Sequence, residues 1–245
     1  MKTFYLTDSG KVRNHNEDSV TIVRNASNEY LLAVADGMGG HRSGEVASSI
    51  AISHLGQRFA KMNKVGSKQD AANWLKDNIN EINSQIFKYV KSHEKSEGMG
   101  TTLVVCILTD EFLIFGNIGD SSGFVLKDKV LHKVTHDHTL VSLLVSTGEL
   151  TEEEAERHPR KNVLMRALGA NNPAEVDIFD VDIDIDAILL CSDGLTTMLT
   201  NDQIQKVINS NLTVEEKIAK LVRKSNNRGG TDNISIAYLE REGVK

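Results

Sequence analysis

The sequence contains few cysteines, prolines and aromatic residues. Of its 245 residues, two are cysteine, two are proline and 5% are aromatic. Both cysteines, Cys106 and Cys191, lie inside apolar runs, which predicts buried free thiols rather than a disulfide or a thiolate nucleophile. No apolar run approaches the ~20 residues needed to span a bilayer, and the N-terminus lacks the apolar core of a signal peptide. The sequence therefore predicts a cytoplasmic protein without a membrane segment.

Positive charge is in the minority. The chain has 28 Lys and Arg against 34 Asp and Glu, a formal net charge of −6. This balance argues against nucleic acid or an anionic membrane as the main partner. Three Asn-x-Ser/Thr triplets begin at Asn25, Asn211 and Asn233, and without a secretion signal we interpret them as chance matches. The length and ordinary composition predict one domain over residues 1–245.

Hydrophobic periodicity predicts groups of strands alternating with groups of helices. Apolar runs predict strands at 3–7, 19–23, 30–35, 101–108, 112–119, 123–127, 129–134 and 234–238, and residues 177–191 are predicted to be extended chain. Helical spacing runs from Ala47 to Phe59 and from Leu75 to Val90, and capping boxes at Ser67 and Thr213 begin two helices. Short polar joints between the middle strands predict antiparallel pairing of neighbours. This grouping favours antiparallel sheet packed with helices over a parallel sheet.

Five aspartates stand at the ends of apolar strands. Any one of them is typical of a turn or a helix cap. Five together predict converging carboxylates, and these require a divalent cation because buried unpaired charge is costly. Oxygen ligands suit Mg²⁺, Mn²⁺ or Ca²⁺, and two ions ~3.5–4 Å apart would activate water to attack a phosphate ester. The five are Asp18, Asp36, Asp120, Asp193 and Asp232.

Two cationic side chains near these acids fit phosphate chemistry. Arg13 lies five residues before Asp18, and its planar guanidinium suits bidentate phosphate binding. His41 directly follows the sequence DGMGG and is positioned to protonate a leaving alkoxide. Alone, either residue is typical of a solvated surface.

Six motifs appear in a fixed order along the chain. They are R-x-x-N-E-D at 13–18, A-D-G-M-G-G-H at 35–41, G-M-G-T-T at 98–102, G-D-S at 119–121, S-D-G-L at 192–195 and G-G-T-D-N-I at 229–234. Together they resemble the PPM-type metal-dependent protein Ser/Thr phosphatases, the protein phosphatase 2C group, in their short bacterial form. The resemblance implies an α+β fold, a four-layer α-β-β-α sandwich of two antiparallel β-sheets flanked by helix pairs.

The resemblance also implies roles for individual residues. Asp36 would bridge two metals, with the carbonyl of Gly37 on the second, and Asp193 and Asp232 would hold the first. Asp18 would act mostly through water. In addition, Asp120 would hold a third, weaker metal with Asp193, Arg13 would bind phosphate and His41 would be the general acid. A mobile flap is expected at about 142–168, where Arg160 and Lys161 would meet protein surface or remain solvated.

The implied reaction is hydrolysis of phosphoserine and phosphothreonine on proteins by a hydroxide that bridges two Mn²⁺ or Mg²⁺ ions. The implied partners are phosphorylated proteins and a membrane-anchored bacterial Ser/Thr kinase, and a monomer is expected. Two positions depart from known family patterns. Ser122 replaces the Arg that usually follows G-D-S. Met38 stands where animal members have a His, and His41 is the corresponding histidine of the bacterial pattern.

The sequence disfavours two other functions. A pseudophosphatase would bind partners through the same fold, but such proteins usually lose a metal ligand, and here the acid set is complete. A Ca²⁺ loop built on Asp182, Asp184 and Asp186 would need glycine where Ala187 stands. Ile183 and Ile185 alternate with these acids, which predicts instead a strand with one acidic, solvated face.

Overall fold

Two antiparallel sheets organise the residues that the computed structural model describes, 1–39 and 43–242. The first sheet has the order β1 (Lys2–Asp8), β11 (Ile234–Glu240), β10 (Ala187–Cys191), β7 (Ser122–Lys127) and β8 (Val130–Lys133). The second has the order β2 (Asp18–Arg24), β3 (Tyr30–Met38), β5 (Leu103–Leu108), β6 (Leu113–Ile118) and β9 (Asp177–Val181), with β4 (Gly100–Thr101) beside β3.

Helices cover the outer face of each sheet. On the second sheet lie α1 (Ser43–Ala60) and α2 (Lys68–Ser92), and on the first lie α5 (Asp193–Thr196), α6 (Asn201–Ile208) and α7 (Val214–Asn227). Between β8 and β9 the chain forms α3 (Leu140–Ser146) and α4 (Glu152–Glu156). The α-β-β-α sandwich is thereby confirmed. No helix of the described residues is long and apolar enough to cross a bilayer.

Three apolar layers hold the sandwich together. One lies between α1, α2 and the second sheet, one between the two sheets, and one between the first sheet and α6 and α7. Cys106 lies in the middle layer and Cys191 in the last, both with 0% exposure, which confirms the prediction of buried free thiols.

The predicted capping boxes at two helices are confirmed. At the start of α2, the N–H of Asp70 donates to the hydroxyl of Ser67 (3.2 Å), and the N–H of Ser67 donates to the Asp70 carboxylate (2.9 Å). Thr213 and Glu216 make the same reciprocal pair at the start of α7. These bonds satisfy N–H groups that a helix leaves unpaired, so local sequence fixes both starting points.

The predicted pairing of neighbouring strands is wrong at one joint. β5 pairs with β6, and β7 with β8, but β6 and β7 lie in different sheets. Residues 119–121 carry the chain from one sheet to the other, and Gly119 turns it with a φ of 104°. A short polar joint looks the same in a hairpin and in such a crossing, which is why the sequence did not distinguish them. The crossing places Asp120 at the open end of the sandwich.

The predicted strand over the acidic stretch 182–186 is also wrong. The extended chain predicted at 177–191 forms β9 and β10, which lie in different sheets and are joined by residues 182–186. The N–H of Asp184 donates to the Asp182 carboxylate (3.0 Å), a local turn that breaks the strand. Two shorter helices, α5 and α6, had no predicted counterpart.

Candidate active site

Carboxylates from both sheets meet at one end of the sandwich. Asp18 and Asp36 are direct partners in the pairing of β2 with β3, so their side chains share one face. Asp193 begins α5, and Asp232 precedes β11 by two residues. Contrary to the sequence prediction, Asp36 does not end its strand, because β3 continues to Met38 and pairs there with β4.

A cleft of about 650 Å³ opens between these elements. Asp36, Asp120, Asp193 and Asp232 line it, together with Arg13 and Gly37. Asp18 lies behind the cleft wall with 7% exposure, and one of its carboxylate oxygens, Oδ2, accepts a hydrogen bond from Ser192 (2.7 Å). The structure therefore brings together all five predicted aspartates, four on the cleft surface and one beneath it.

Burial disfavours the charged form of these carboxyl groups. It raises the pKa of Asp18 to about 7, and hydrogen bonds from Ser192 and Ser235 only partly oppose that rise. It likewise raises the pKa of Asp193 to about 6, where the negative charge of Asp232 is the next cause.

Asp36 and Asp120 show the same effect. Burial raises the pKa of Asp36 well above its ordinary value, and the charges of Asp18 and Asp193 add to the rise. The pKa of Asp120 is raised to about 7 by burial and then by the charge of Asp193. Each charge makes the others costlier, so the group as a whole requires positive charge.

The acids fit a divalent cation. Asp18 Oδ1 and Asp193 Oδ1 are buried and have no hydrogen-bond partner among the described residues, although buried carboxylate oxygens are normally paired. Among residues 1–39 and 43–242, no three His, Cys, Asp or Glu side chains are already close enough together to hold a metal ion. The unpaired oxygens are nevertheless of the type that Mg²⁺ prefers, since this ion takes carboxylate, carbonyl and water oxygens as ligands.

Gly37 is required by a close approach of two backbone segments. A Cβ at Gly37 would lie 2.1 Å from the carbonyl oxygen of Gly44 and 2.5 Å from that of Glu17. The N–H of Gly37 donates to that Glu17 carbonyl (3.2 Å). Only glycine lets α1 begin this close to the end of β3, and this contact fixes the backbone that follows Asp36.

Arg13 lies at the mouth of the cleft with its side chain about half exposed. Its Nη2 donates to Oδ2 of Asp232 at 2.7 Å. The guanidinium thus neutralises one acid of the group, and Arg13 also lines the cleft.

Other predicted features have mixed outcomes. His41, the predicted general acid, lies outside the described residues. Met38 lines the cleft, and Ser122 is buried with 1% exposure at the start of β7. Asp182 and Asp184, the acids of the alternative Ca²⁺ loop, both form ion pairs with the ammonium group of Lys127 (3.1 and 3.2 Å).

Part of the cleft wall comes from the segment between β8 and β9, where a flap is predicted. Asn162, Leu164 and Arg166 line the cleft, whereas Arg160 and Lys161 are exposed and do not. At its end, Leu168 exchanges two backbone hydrogen bonds with Thr101 (2.9 and 3.0 Å). The segment therefore lines the same cleft as the carboxylates and is tied to β4, which lies inside the G-M-G-T-T motif.

Several residues of the site were not assigned a role by the sequence analysis. Asn233 is buried, and its side chain bonds to the backbone of Ser9, His15 and Glu17 (2.8–3.0 Å), fixing the loop that carries Arg13. Ser192 and Thr102 likewise hold acids of the site. All three residues lie inside the six motifs, and this position was the only feature of the sequence that could have indicated their roles.

Comparisons with known proteins agree with this geometry. The profile of the protein phosphatase 2C family matches residues 10–234. A serine/threonine phosphatase, stp, of Listeria monocytogenes is 41% identical over 99% of this chain and 96% of its own length. The protein phosphatase PhpP of Streptococcus pneumoniae is 36% identical over 98% of this chain and 97% of its own length.

Solved structures show the same likeness. The serine/threonine phosphatase of S. agalactiae superposes with a TM-score of 0.93 at 35% identity, covering 98% of this chain and 99% of that one. The serine/threonine phosphatase PstP/Ppp of Mycobacterium tuberculosis superposes with a TM-score of 0.87 at 34% identity, covering 98% of this chain and 99% of that one.

Proposed function

Because the chain belongs to the protein phosphatase 2C family, we propose that it hydrolyses phosphoserine and phosphothreonine on proteins in a metal-dependent reaction. Family membership makes it a protein serine/threonine phosphatase, a hydrolase of phosphoester bonds. When bound, two divalent cations, Mn²⁺ or Mg²⁺, would supply an activated water and the positive charge that offsets the phosphate. The buried thiols take no part, and no phosphoenzyme forms.

The observation that carries this proposal is the group of buried carboxylates, of which Arg13 pairs only with Asp232. Two buried carboxylate oxygens lack a hydrogen-bond partner among the described residues, and burial raises the pKa of four of the acids. In the proposed site, Asp36, Asp193 and Asp232 would hold the two ions with the carbonyl of Gly37. Asp18 would contribute through water, and Asp120 with Asp193 would hold a third, weaker ion.

Basic residues bind and protonate the substrate. Arg13, at the cleft mouth, binds the phosphate through its planar guanidinium. His41, outside the described residues, is the proposed general acid that protonates the leaving alkoxide. The segment 142–168 is proposed to act as a flap of the single domain that contacts the substrate protein, since Asn162 and Arg166 line the cleft.

The test is Mn²⁺-dependent hydrolysis of a phosphothreonine peptide. We expect Asp36→Ala or Asp193→Ala to abolish turnover, and EDTA to abolish it in the wild type. Asp184→Asn is the matched control, because that carboxylate is 85% exposed and lies outside the cleft. Full activity in EDTA, or undiminished turnover in either alanine variant, would refute the proposal. Mn²⁺ binding without any turnover by the wild type would favour the pseudophosphatase.

The proposed partners are phosphorylated proteins of the cytoplasm, including a membrane-anchored bacterial Ser/Thr kinase whose action the phosphatase opposes. The first substrate to test is the autophosphorylated domain of such a kinase. Loss of its phosphothreonine on addition of the wild type, but not of Asp36→Ala, supports the pairing. A kinase domain that stays phosphorylated while the peptide is hydrolysed argues against it.

A further inference from the structure

The pairing of β3 with β5 stops short of Asp36. The last paired residues are Val34 and Val104. Beyond them, the N–H of Asp36 donates to Oγ1 of Thr102 (3.0 Å), and the carbonyl of Asp36 accepts from the N–H of Thr102 (2.9 Å). A side-chain hydroxyl thus takes the place of the backbone carbonyl that would continue the ladder, and it satisfies an otherwise unpaired N–H.

The same hydroxyl reaches the segment that crosses between the sheets. Thr102 Oγ1 lies 2.7 Å from Oγ of Ser121, and the two side chains are 2% and 0% exposed. The methyl group of Thr102 packs on Gly119, where a Cβ would come within 2.6 Å of it. Thr102 therefore contacts both residues that flank Asp120.

The other side of the crossing is held as well. The N–H of Gly119 donates to Nδ1 of His138 (3.1 Å), and the N–H of His138 donates to the Gly119 carbonyl (2.9 Å). His138 Nε2 bonds in turn to Asp177 (2.9 Å). Asp120 thus sits between two fixed residues, one anchored by His138 and one by Thr102.

We propose that Thr102 is a positioning residue whose hydroxyl fixes the separation of Asp36 and Asp120 across the two sheets. This inference rests on the proposed function, and it adds a residue that touches the backbone of one acid and the neighbour of another. Without this hydroxyl, the N–H of Asp36 and the buried hydroxyl of Ser121 both lose their shared hydrogen-bond partner. The two carboxylates are then free to shift relative to each other.

A substitution series separates the hydroxyl from the methyl group. Thr102→Val keeps the shape and removes the hydroxyl, whereas Thr102→Ser keeps the hydroxyl and removes the methyl. Thr109→Val is a matched control at the opposite end of the same strand. Thr109 is also buried, and its hydroxyl accepts from the N–H groups of Glu111 and Phe112 (3.1 and 3.0 Å), far along β5 from the acids.

The experiment measures Mn²⁺ binding to metal-free protein by calorimetry, kcat and KM on a phosphothreonine peptide, and the melting temperature. We expect Thr102→Val to weaken Mn²⁺ binding by about tenfold, a magnitude typical of residues that orient metal ligands, and to lower kcat more than it raises KM. Thr102→Ser is expected to restore both within about twofold. Thr109→Val is expected to melt earlier yet bind Mn²⁺ and turn over as the wild type does.

Three results would overturn the inference. They are wild-type Mn²⁺ affinity in Thr102→Val, failure of Thr102→Ser to restore it, and an equal loss in Thr109→Val. If Thr102→Val does not fold, Ser121→Ala removes the partner hydroxyl alone and is expected to weaken Mn²⁺ binding in the same direction; unchanged binding there counts against the inference. Absence of turnover in the wild type refutes the proposed function instead, because the binding measurement does not depend on turnover.

Discussion

Asp193 carries a buried carboxylate oxygen, Oδ1, with no hydrogen-bond partner among the described residues. Burial raises the pKa of this group to about 6, so at higher pH the folded protein holds a charge that it does not solvate. An isosteric amide would remove that charge. We therefore expect Asp193→Asn to stabilise the metal-free protein at about pH 8 by about 1–2 kcal/mol, or a few degrees in melting temperature, while it loses activity.

The measurement is thermal unfolding in EDTA of the wild type, Asp193→Asn and the control Asp184→Asn. The control removes an exposed charge that binds Lys127, so it is expected to change the melting temperature little. If Asp193→Asn melts below the wild type at this pH, the carboxylate is stabilised in the folded protein by contacts that outweigh its burial.

The acidic residues of the site could be predicted as a group, but the residues that support them could not. A charged aspartate next to an apolar strand departs from the local hydrophobic pattern, and such a departure can be recognised in a sequence. Thr102 and Asn233 carry no such signal, because hydroxyl and amide side chains are equally common in exposed turns. Their importance comes from register and from a crossing between sheets, which depend on residues far away in the chain.

Among the helices, α2 shows a similar hidden polar contact. Asn83 is 0% exposed on the face that the Leu75–Val90 periodicity marks as apolar. Its Oδ1 accepts from the N–H of Gly169 and its Nδ2 donates to the carbonyl of Asn171, both at 2.8 Å. This one side chain connects α2 to residues 169–171, which follow the predicted flap segment.

We expect Asn83→Ala to free this end of the segment. The N–H of half-buried Gly169 and the carbonyl of exposed Asn171 lose their partner, and each lost hydrogen bond is expected to cost about 0.5–1.5 kcal/mol because water can replace it in part. Amide exchange in residues 164–171 is then expected to accelerate more than exchange in β5 or β10, as measured by hydrogen exchange with mass spectrometry. Asn73→Ala, an exposed asparagine on the same helix, serves as control. Equal acceleration throughout the protein would show a global rather than a local role.

Elements were predicted well where local signals determine them. Capping boxes and helical spacing located α2 and α7, and alternating or continuous apolar runs located most strands. Two of the errors occurred where pairing between distant segments decides the structure. Residues 119–121 and 182–186 both join strands of different sheets, and short joints carry no information about which sheet the next strand enters.

For the whole molecule, net charge and pH act together through the acid group. The formal net charge is −6, and two divalent cations would bring it to about −2. Without cations, burial raises the pKa of Asp18 and Asp120 to about 7 and that of Asp193 to about 6. In the unfolded chain these groups titrate near 4. Between about pH 4 and 7 the folded protein therefore binds more protons than the unfolded chain.

Because the folded form holds the extra protons, its stability in EDTA is expected to fall as pH rises from about 4 to 7 and then to level off. His54 opposes this trend weakly, because burial lowers its pKa and favours folding as pH rises. A shallower dependence of stability on pH in Asp193→Asn than in the wild type isolates the carboxyl contribution, since both proteins contain His54.

Saturating Mn²⁺ is expected to reverse this pH dependence, because carboxylates bind the ion only when deprotonated and bound ion stabilises the fold. Urea unfolding at about pH 5.5 and about pH 8, each with EDTA or with Mn²⁺, measures the four free energies of unfolding. Equal free energies of unfolding at both pH values in EDTA would mean that the acids ionise in the folded protein without cost.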